Sequence, residues 1–157
     1  MSAVPDLREL YQQTIIEHNR SPRNFRALAD ANRSAEGNNP LCGDRIALSV
    51  RVDDGVIRDI GFQGRGCAIS QAAASLMTTA VKGKPVGEAD TLFRAFHDMV
   101  TGGAGAPADP QALGKLAAFA GVRAFPARVK CASLPWHTLR AALESRAEPV
   151  TTESPGE

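Results

Sequence analysis

The stretch "RIALSVRVDDGVIRDIGF", residues 45–62, decides the fold because its pattern is typical of a β-hairpin. Hydrophobic residues alternate with other residues from Ile46 to Val52, which is the period of a half-buried strand. The Asp-Asp-Gly sequence at 53–55 is a hairpin turn signal, and a second strand continues to Phe62. The weaker alternation in this second strand leaves its register open. The pattern predicts the centre of a small antiparallel sheet.

Helical patterns lie on both sides of this hairpin. Hydrophobic residues spaced by three and four predict helices over residues 5–20 and about 88–101, with Asp6 as a candidate cap of the first helix. The stretch 68–84 predicts a further helix with Ser70 near its start and Gly83 just beyond its end. A short helix is predicted from Asp109 and Pro110 to near Gly121, and a last helix over 133–145 has Pro135 in its first turn. The connecting segments 31–40 and 102–110 are predicted as loops, and residues 125–131 as extended chain.

Length and composition favour one α+β domain over residues 1–147, with about three antiparallel strands packed against helices and a disordered polar tail at 148–157. The net charge is only +1, from 18 basic and 17 acidic side chains, so neither nucleic acid nor a membrane is expected as a partner. No signal peptide or membrane-spanning run is visible, and three widely spaced cysteines do not form a secreted disulfide framework. The expected location is the cytoplasm.

The stretch "NPLCGD", residues 39–44, contains the first of the three cysteines. A single cysteine in a loop is more often incidental to function than essential for it, and this reading applies to Cys42 taken alone. Asp44 changes the balance, because Gly43 permits a tight turn in which the thiol and the carboxylate face the same point.

Cys67 and Cys131 each precede a predicted helix, where the partial positive charge of the helix N-terminus favours a thiolate. Together with Cys42 and Asp44 they provide three sulfur donors and one oxygen donor, a set that fits tetrahedral zinc. The separations of 25 and 64 residues between the cysteines match no local metal motif, so the spacing does not show that these side chains converge. The three histidines are interpreted as capping, surface or core residues; they are His18, His97 and His137.

Four stretches in order carry a resemblance to a known family: "LYQQTIIEHNRSPRNF", "NNPLCGD", "GRGCAISQAAASLM" and "FPARVKCASLPWHTL". Together they resemble the IscU/NifU N-terminal family of iron–sulfur cluster assembly proteins, and within it the SufU-like branch. The resemblance implies a SufE/IscU-like α+β fold. IscU-type scaffolds have a histidine directly before the third cysteine, where this chain has Lys130. They also have a shorter segment before that cysteine, so the 64-residue separation implies an insertion.

The SufU-like resemblance implies a zinc-dependent sulfur acceptor, a sulfurtransferase if such a protein is counted as an enzyme. It would take persulfide sulfur from a SufS-like cysteine desulfurase and supply the downstream iron–sulfur assembly machinery. By its place in the motif, Cys42 resembles the acceptor thiol, and Asp44, Cys67 and Cys131 resemble the other zinc ligands. Arg128 matches a basic position of the pattern and could assist the transfer, although a solvated arginine is an equal interpretation.

Two other interpretations remain open from the residues. One is a scaffold on which a transient iron–sulfur cluster is assembled and passed on, since three cysteines and an aspartate would hold a cluster less firmly than four cysteines. The other is an ordinary globular domain with a structural metal site and a binding surface.

Overall fold

The structure, a computed structural model, describes residues 7–40, 43–101, 113–144 and 150–151. It is an α+β protein in which helices cover a sheet of strand order β3-β2-β1-β4. Along the chain the elements are α1 (Leu7–Arg20), β1 (Arg33–Asn39), β2 (Asp44–Asp53), β3 (Val56–Arg65), α2 (Ala68–Val81), α3 (Val86–Thr101), a 3₁₀ helix (Gly114–Ala124), α4 (Pro126–Leu143) and β4 (Val150–Thr151).

The predicted hairpin is confirmed as β2 and β3, which pair in antiparallel fashion. Its two loop residues, Asp54 and Gly55, have φ values of 53° and 74°, the left-handed conformation that a tight two-residue hairpin requires. Arg51 pairs with Asp59 whereas Val52 pairs with Ile57, so one extra residue bulges out of β3. The bulge shifts the buried face of β3, which explains the weak alternation in its sequence.

The prediction of a loop over residues 31–40 was wrong, because Arg33–Asn39 forms β1, antiparallel to β2. The reason lies in how closely α4 crosses this strand. A Cβ atom at Gly37 would collide with the hydroxyl of Thr138 and touch Leu134. The inner face of β1 therefore carries small and polar residues, and the hydrophobic alternation that indicates a strand is absent from its sequence.

The prediction for the segment before the last helix was also wrong. Residues 126–131 are not extended but form the first turns of α4, so Pro135 lies inside the helix rather than in its first turn. Pro126 occupies the first helical position, where a proline costs nothing. Pro135 has no N–H to donate to the carbonyl of Cys131, four residues earlier. We attribute the uninterrupted helix to its packing against β1, β2 and α2, which outweighs this loss.

The remaining predictions agree with the structure in part. The helices α1, α2 and α3 are confirmed, and Gly83 follows α2 with a φ of 84°. The predicted short helix is a 3₁₀ helix that extends to Ala124. Asp6, Asp109, Pro110 and the 102–110 connector lie outside the described residues. Two residues of the tail, for which disorder is predicted, form β4 beside β1, and the single domain over 1–147 stays a prediction.

The hydrophobic core lies between the inner face of the sheet and the helices. Its centre is aromatic: the ring of Phe96 lies 5.3 Å from that of Trp136 and 5.7 Å from that of Phe119. Among the described helices, none is both long enough and apolar enough to cross a membrane. The core fixes α4 against the sheet, and α4 carries one of the candidate site residues.

The contact at Gly37 gives a test of how β1 is held. We expect Gly37→Ala to destabilise the protein by about 1–3 kcal/mol, because the added methyl group must push α4 away from β1. The matched control is Gly87→Ala in α3, where a Cβ meets no atom within 4 Å and the helix gains a better helix former. Urea unfolding of both variants measures the difference, and equal stability would contradict the close crossing.

Candidate metal centre

Three of the four predicted ligands lie together in the structure. One carboxylate oxygen of Asp44 and the sulfur atoms of Cys67 and Cys131 all lie within 4.8 Å of one another. Asp44 is the first residue of β2, Cys67 is the N-cap of α2, and Cys131 lies in the second turn of α4. The predicted place of Cys131 before a helix was therefore wrong. Cys42 lies outside the described residues.

Asp44 is only 1 % exposed, and it is held by hydrogen bonds rather than by an ion pair. Its Oδ1 accepts a hydrogen bond of 2.8 Å from the backbone N–H of Cys67, and its Oδ2 accepts one of 3.3 Å from the side-chain amide of Asn39. The Cys67 sulfur lies 3.9 Å from the same Oδ2. Among the described residues no basic side chain forms an ion pair with Asp44.

Asn39 is the site residue that the sequence analysis missed. It is completely buried at the end of β1, directly opposite Asp44 in the ladder. Its side-chain amide donates to the Asp44 carboxylate and also lies 3.5 Å from the Cys131 sulfur. One amide thus links a candidate metal ligand of the sheet, Asp44, with a candidate metal ligand of α4, Cys131. Its only signal in the sequence is its place in the "NPLCGD" stretch, since asparagine is also common in loops.

Two glycines give the site its shape. Gly43 has a φ of 71°, a left-handed conformation that glycine adopts readily, whereas the predicted turn that brings Cys42 toward Asp44 stays a prediction because Cys42 lies outside the described residues. A Cβ atom at Gly66 would collide with the Asp44 carboxylate and with the hydroxyl of Ser70. The carboxylate can therefore approach the backbone at the start of α2 because residue 66 has no side chain.

The donors present fit a metal ion. A buried carboxylate with only neutral hydrogen-bond donors around it is costly, and a bound cation would offset that cost. Two sulfur atoms and one carboxylate oxygen are ligands that zinc accepts, and the ligands of a tetrahedral zinc lie roughly 3.5–4 Å apart. The described donors are within about an ångström of that arrangement. Of the three, only Cys67 is partly exposed to solvent.

The remaining candidate residues are the three histidines and Arg128. No histidine joins the donor group within the described part of the chain. His97 and His137 pack edge-on against the ring of Phe93, and His18 is buried against α2. Arg128 is exposed on α4, one turn before Cys131, and its role in sulfur transfer stays a prediction.

Comparison with known proteins defines the class of this protein. The NifU-like N terminal domain matches residues 10–132. The chain therefore belongs to this family, and the resemblance seen in the sequence is confirmed.

Individual relatives and a solved structure agree with this assignment. The chain is 43 % identical over 139 residues to the zinc-dependent sulfurtransferase SufU of Bacillus subtilis, covering 88 % of this chain and 92 % of that protein. It is 41 % identical over 145 residues to the iron–sulfur cluster assembly scaffold protein IscU of Streptococcus pyogenes, covering 92 % and 89 %. A crystal structure from Fervidobacterium islandicum, described as a scaffold protein for the SUF system, matches with a TM-score of 0.78 and 33 % identity, covering 88 % and 99 %.

The bridging amide of Asn39 can be tested by substitution. We expect Asn39→Ala to lower zinc affinity by roughly 10- to 100-fold, the effect typical of losing a residue that orients metal ligands. Competition with a chromophoric chelator measures this affinity. Asn38→Ala is the matched control, because Asn38 is the neighbouring residue on β1 and its side chain points to the other face. Equal zinc affinity of the two variants would contradict the bridging role.

His18 gives the protein a predicted pH dependence. Burial lowers the pKa of His18, the nearby charges of Arg23 and Lys115 lower it further, and Glu17 acts in the opposite direction. Its Nδ1 lies 2.7 Å from the hydroxyl of Ser75, which suits a neutral ring. His18 therefore binds a proton more readily in the unfolded chain than in the folded protein. Its contribution to the free energy of unfolding is fully present above pH 6.5 and is lost as the pH decreases through that value.

The measurement is the free energy of unfolding at pH 7.5 and 5.5 for the parent and for His18→Asn, at equal zinc content. Acid also protonates the candidate ligands, so the informative quantity is the difference between the two slopes. We expect a smaller loss in the variant. The same loss in both proteins would show that His18 does not contribute.

Proposed function

We propose that this protein accepts sulfur on Cys42 from the persulfide of a cysteine desulfurase, at a zinc site, and passes it on for iron–sulfur cluster assembly. The observation that carries the proposal is the convergence of Asp44, Cys67 and Cys131 within 4.8 Å. The similarity to a zinc-dependent sulfurtransferase supports it. A cytoplasmic location, expected from the sequence, accords with this role.

Zinc would be held by Asp44, Cys67 and Cys131, with Cys42 as the fourth ligand. Cys42 is connected to Asp44 through Gly43 alone, so their Cα atoms can be at most about 7 Å apart. When bound, zinc keeps its thiol ligands deprotonated and contributes no redox chemistry of its own. The buried amide of Asn39 would orient two of the ligands, Asp44 and Cys131.

The transfer itself is a thiol–persulfide exchange on Cys42. The Cys42 thiolate attacks the terminal sulfur of the donor persulfide, and a new sulfur–sulfur bond forms as the donor's own bond breaks. The donor cysteine leaves as a thiolate, and the terminal sulfur with its proton or negative charge is now carried by Cys42. No net oxidation or reduction occurs. Arg128, exposed one turn before Cys131, would stabilise the negative charge that moves in this exchange.

A scaffold role is the second candidate, because the chain is nearly as similar to an assembly scaffold as to a sulfurtransferase. In that role the same donors would hold a transient iron–sulfur cluster rather than zinc. The mixed donor set distinguishes the two, since an aspartate oxygen is a natural ligand for zinc whereas stable clusters favour four cysteine sulfurs. We therefore place sulfur acceptance first.

The acceptor role predicts the behaviour of a single variant. Cys42→Ala should lose essentially all stimulation of the desulfurase while keeping its fold and its Asp44, Cys67 and Cys131 donors. The measurement is sulfide or alanine production by the desulfurase, together with mass spectrometry of the parent for one added sulfur atom on Cys42. Stimulation by Cys42→Ala equal to that of the parent would overturn the acceptor role.

Two controls separate the alternatives. Circular dichroism of Cys42→Ala and Asp44→Ala tests the structural-site interpretation, which expects both variants to unfold. Metal analysis of untagged protein and anaerobic reconstitution with iron and sulfide test the scaffold. A colourless protein with about one zinc per chain supports sulfur acceptance, because a four-ligand site holds one ion. A stable brown protein that has lost its zinc would favour the scaffold instead.

A further inference from the structure

Two arginines face each other across the strands that lead into the site. Arg45 of β2 and Arg65 of β3 are direct partners in the antiparallel ladder, and both side chains are exposed. Arg45 follows Asp44 directly, and Arg65 precedes Cys67 by two residues. Opposed residues in an antiparallel pair project from the same face, so two positive charges lie side by side at the end of the sheet that carries the candidate metal centre.

This arrangement is unfavourable for the isolated protein. Like charges directly opposite each other destabilise a sheet. No acidic residue in the described part of the chain forms an ion pair with Arg45 or Arg65. Elsewhere on the surface several arginines do have carboxylate partners, namely Arg23, Arg26, Arg51, Arg94 and Arg140. Arg20, Arg33 and Arg58 also form no ion pair among the described residues, so the distinguishing feature of Arg45 and Arg65 is that they are direct partners in the ladder beside the site.

The charged residues that lie close in sequence to the candidate metal ligands are also positive. Within three residues of Asp44, Cys67 or Cys131, the charged residues other than Asp44 itself are all basic: Arg45, Arg65, Arg128 and Lys130. The chain as a whole has a net charge of only +1, so this concentration is local. Asp44 and Arg45 also line one open groove of about 790 Å³. Glu36 lines this groove too, opposite Ala47, without forming an ion pair with Arg45.

We infer that Arg45 and Arg65 are a docking surface for an acidic patch on the protein that donates the sulfur. The inference rests on the proposed function, in which a desulfurase must bring its persulfide to the residues beside this pair. A protein surface fits better than a small anion, because both arginines are exposed to solvent. Exposed charges of one sign mainly raise the rate of encounter with a partner of the opposite sign.

The experiment uses the zinc-loaded chain of 157 residues and a SufS-type cysteine desulfurase. Binding rates are measured for the parent, Arg45→Glu, Arg65→Glu and the double variant at 50, 150 and 500 mM NaCl. The control is Arg58→Glu, which makes the same charge change at an exposed residue of β3, roughly 20 Å away along the strand. Zinc content is confirmed for every variant before binding is measured.

Stability and binding should change in opposite directions. Each single variant places a carboxylate opposite an arginine, so its Tm should rise by roughly 1–3 °C. Its association rate at 50 mM NaCl should nevertheless fall about 3- to 10-fold relative to Arg58→Glu, and the difference should shrink to within about twofold at 500 mM. In the double variant the Tm should return to near that of the parent, while the association rate should be the lowest of the set.

The outcomes separate this inference from the function on which it rests. If the parent stimulates the desulfurase but the Arg45 and Arg65 variants bind like Arg58→Glu, the docking surface is wrong and the proposed function stands. If binding is lost equally at all salt concentrations, the electrostatic role is wrong. A parent that neither binds nor stimulates the desulfurase would overturn both.

Discussion

The buried carboxylate of Asp44 is the constraint on which the rest of the site depends. It accepts one hydrogen bond from the backbone N–H of Cys67 and one from the side-chain amide of Asn39. These two bonds join β2 to the start of α2 and to the end of β1. A carboxylate at a helix N-terminus is stabilised by the helix dipole, and the N-cap Cys67 has no side-chain cap hydrogen bond of its own. The glycine at position 66 follows from the same contact, because any side chain there would displace the carboxylate.

The parts of the fold that could be predicted from the sequence are those that bury one regular face. The β2–β3 hairpin and helices α1 to α3 present hydrophobic residues at the period of a strand or a helix, and their positions follow from that pattern. The strand β1 has no such pattern, because its buried positions are not hydrophobic. At Gly37 a larger residue would collide with α4, and at Asn39 a hydrophobic residue could not donate a hydrogen bond to Asp44. The first turns of α4 were missed because Pro135 resembles a helix start, and long-range packing overrides that local signal.

The candidate site shows a similar division. Donor chemistry identifies Asp44, Cys67 and Cys131, because a carboxylate and thiolates are suited to a metal ion wherever they meet. Their separations along the chain cannot show that they meet, since the contacts depend on how β2, α2 and α4 pack. Asn39 could not be recognised at all, because its role exists only through its burial beside two of these donors. Residues that orient ligands are visible only in three dimensions.

The alternation of β2 explains how opposite charges coexist at one end of the sheet. Successive side chains of a strand point to opposite faces, so Asp44 is buried toward the helices whereas Arg45 projects outward. Although Asp44 and Arg45 are adjacent in sequence, they lie on different faces of β2 and form no ion pair with each other. The carboxylate thus stays available for a cation, and the arginine stays available for a partner surface. A shift of the register by one residue would bury Arg45 and expose Asp44, so the strand pairing that defines the fold also sets the charge pattern of the site.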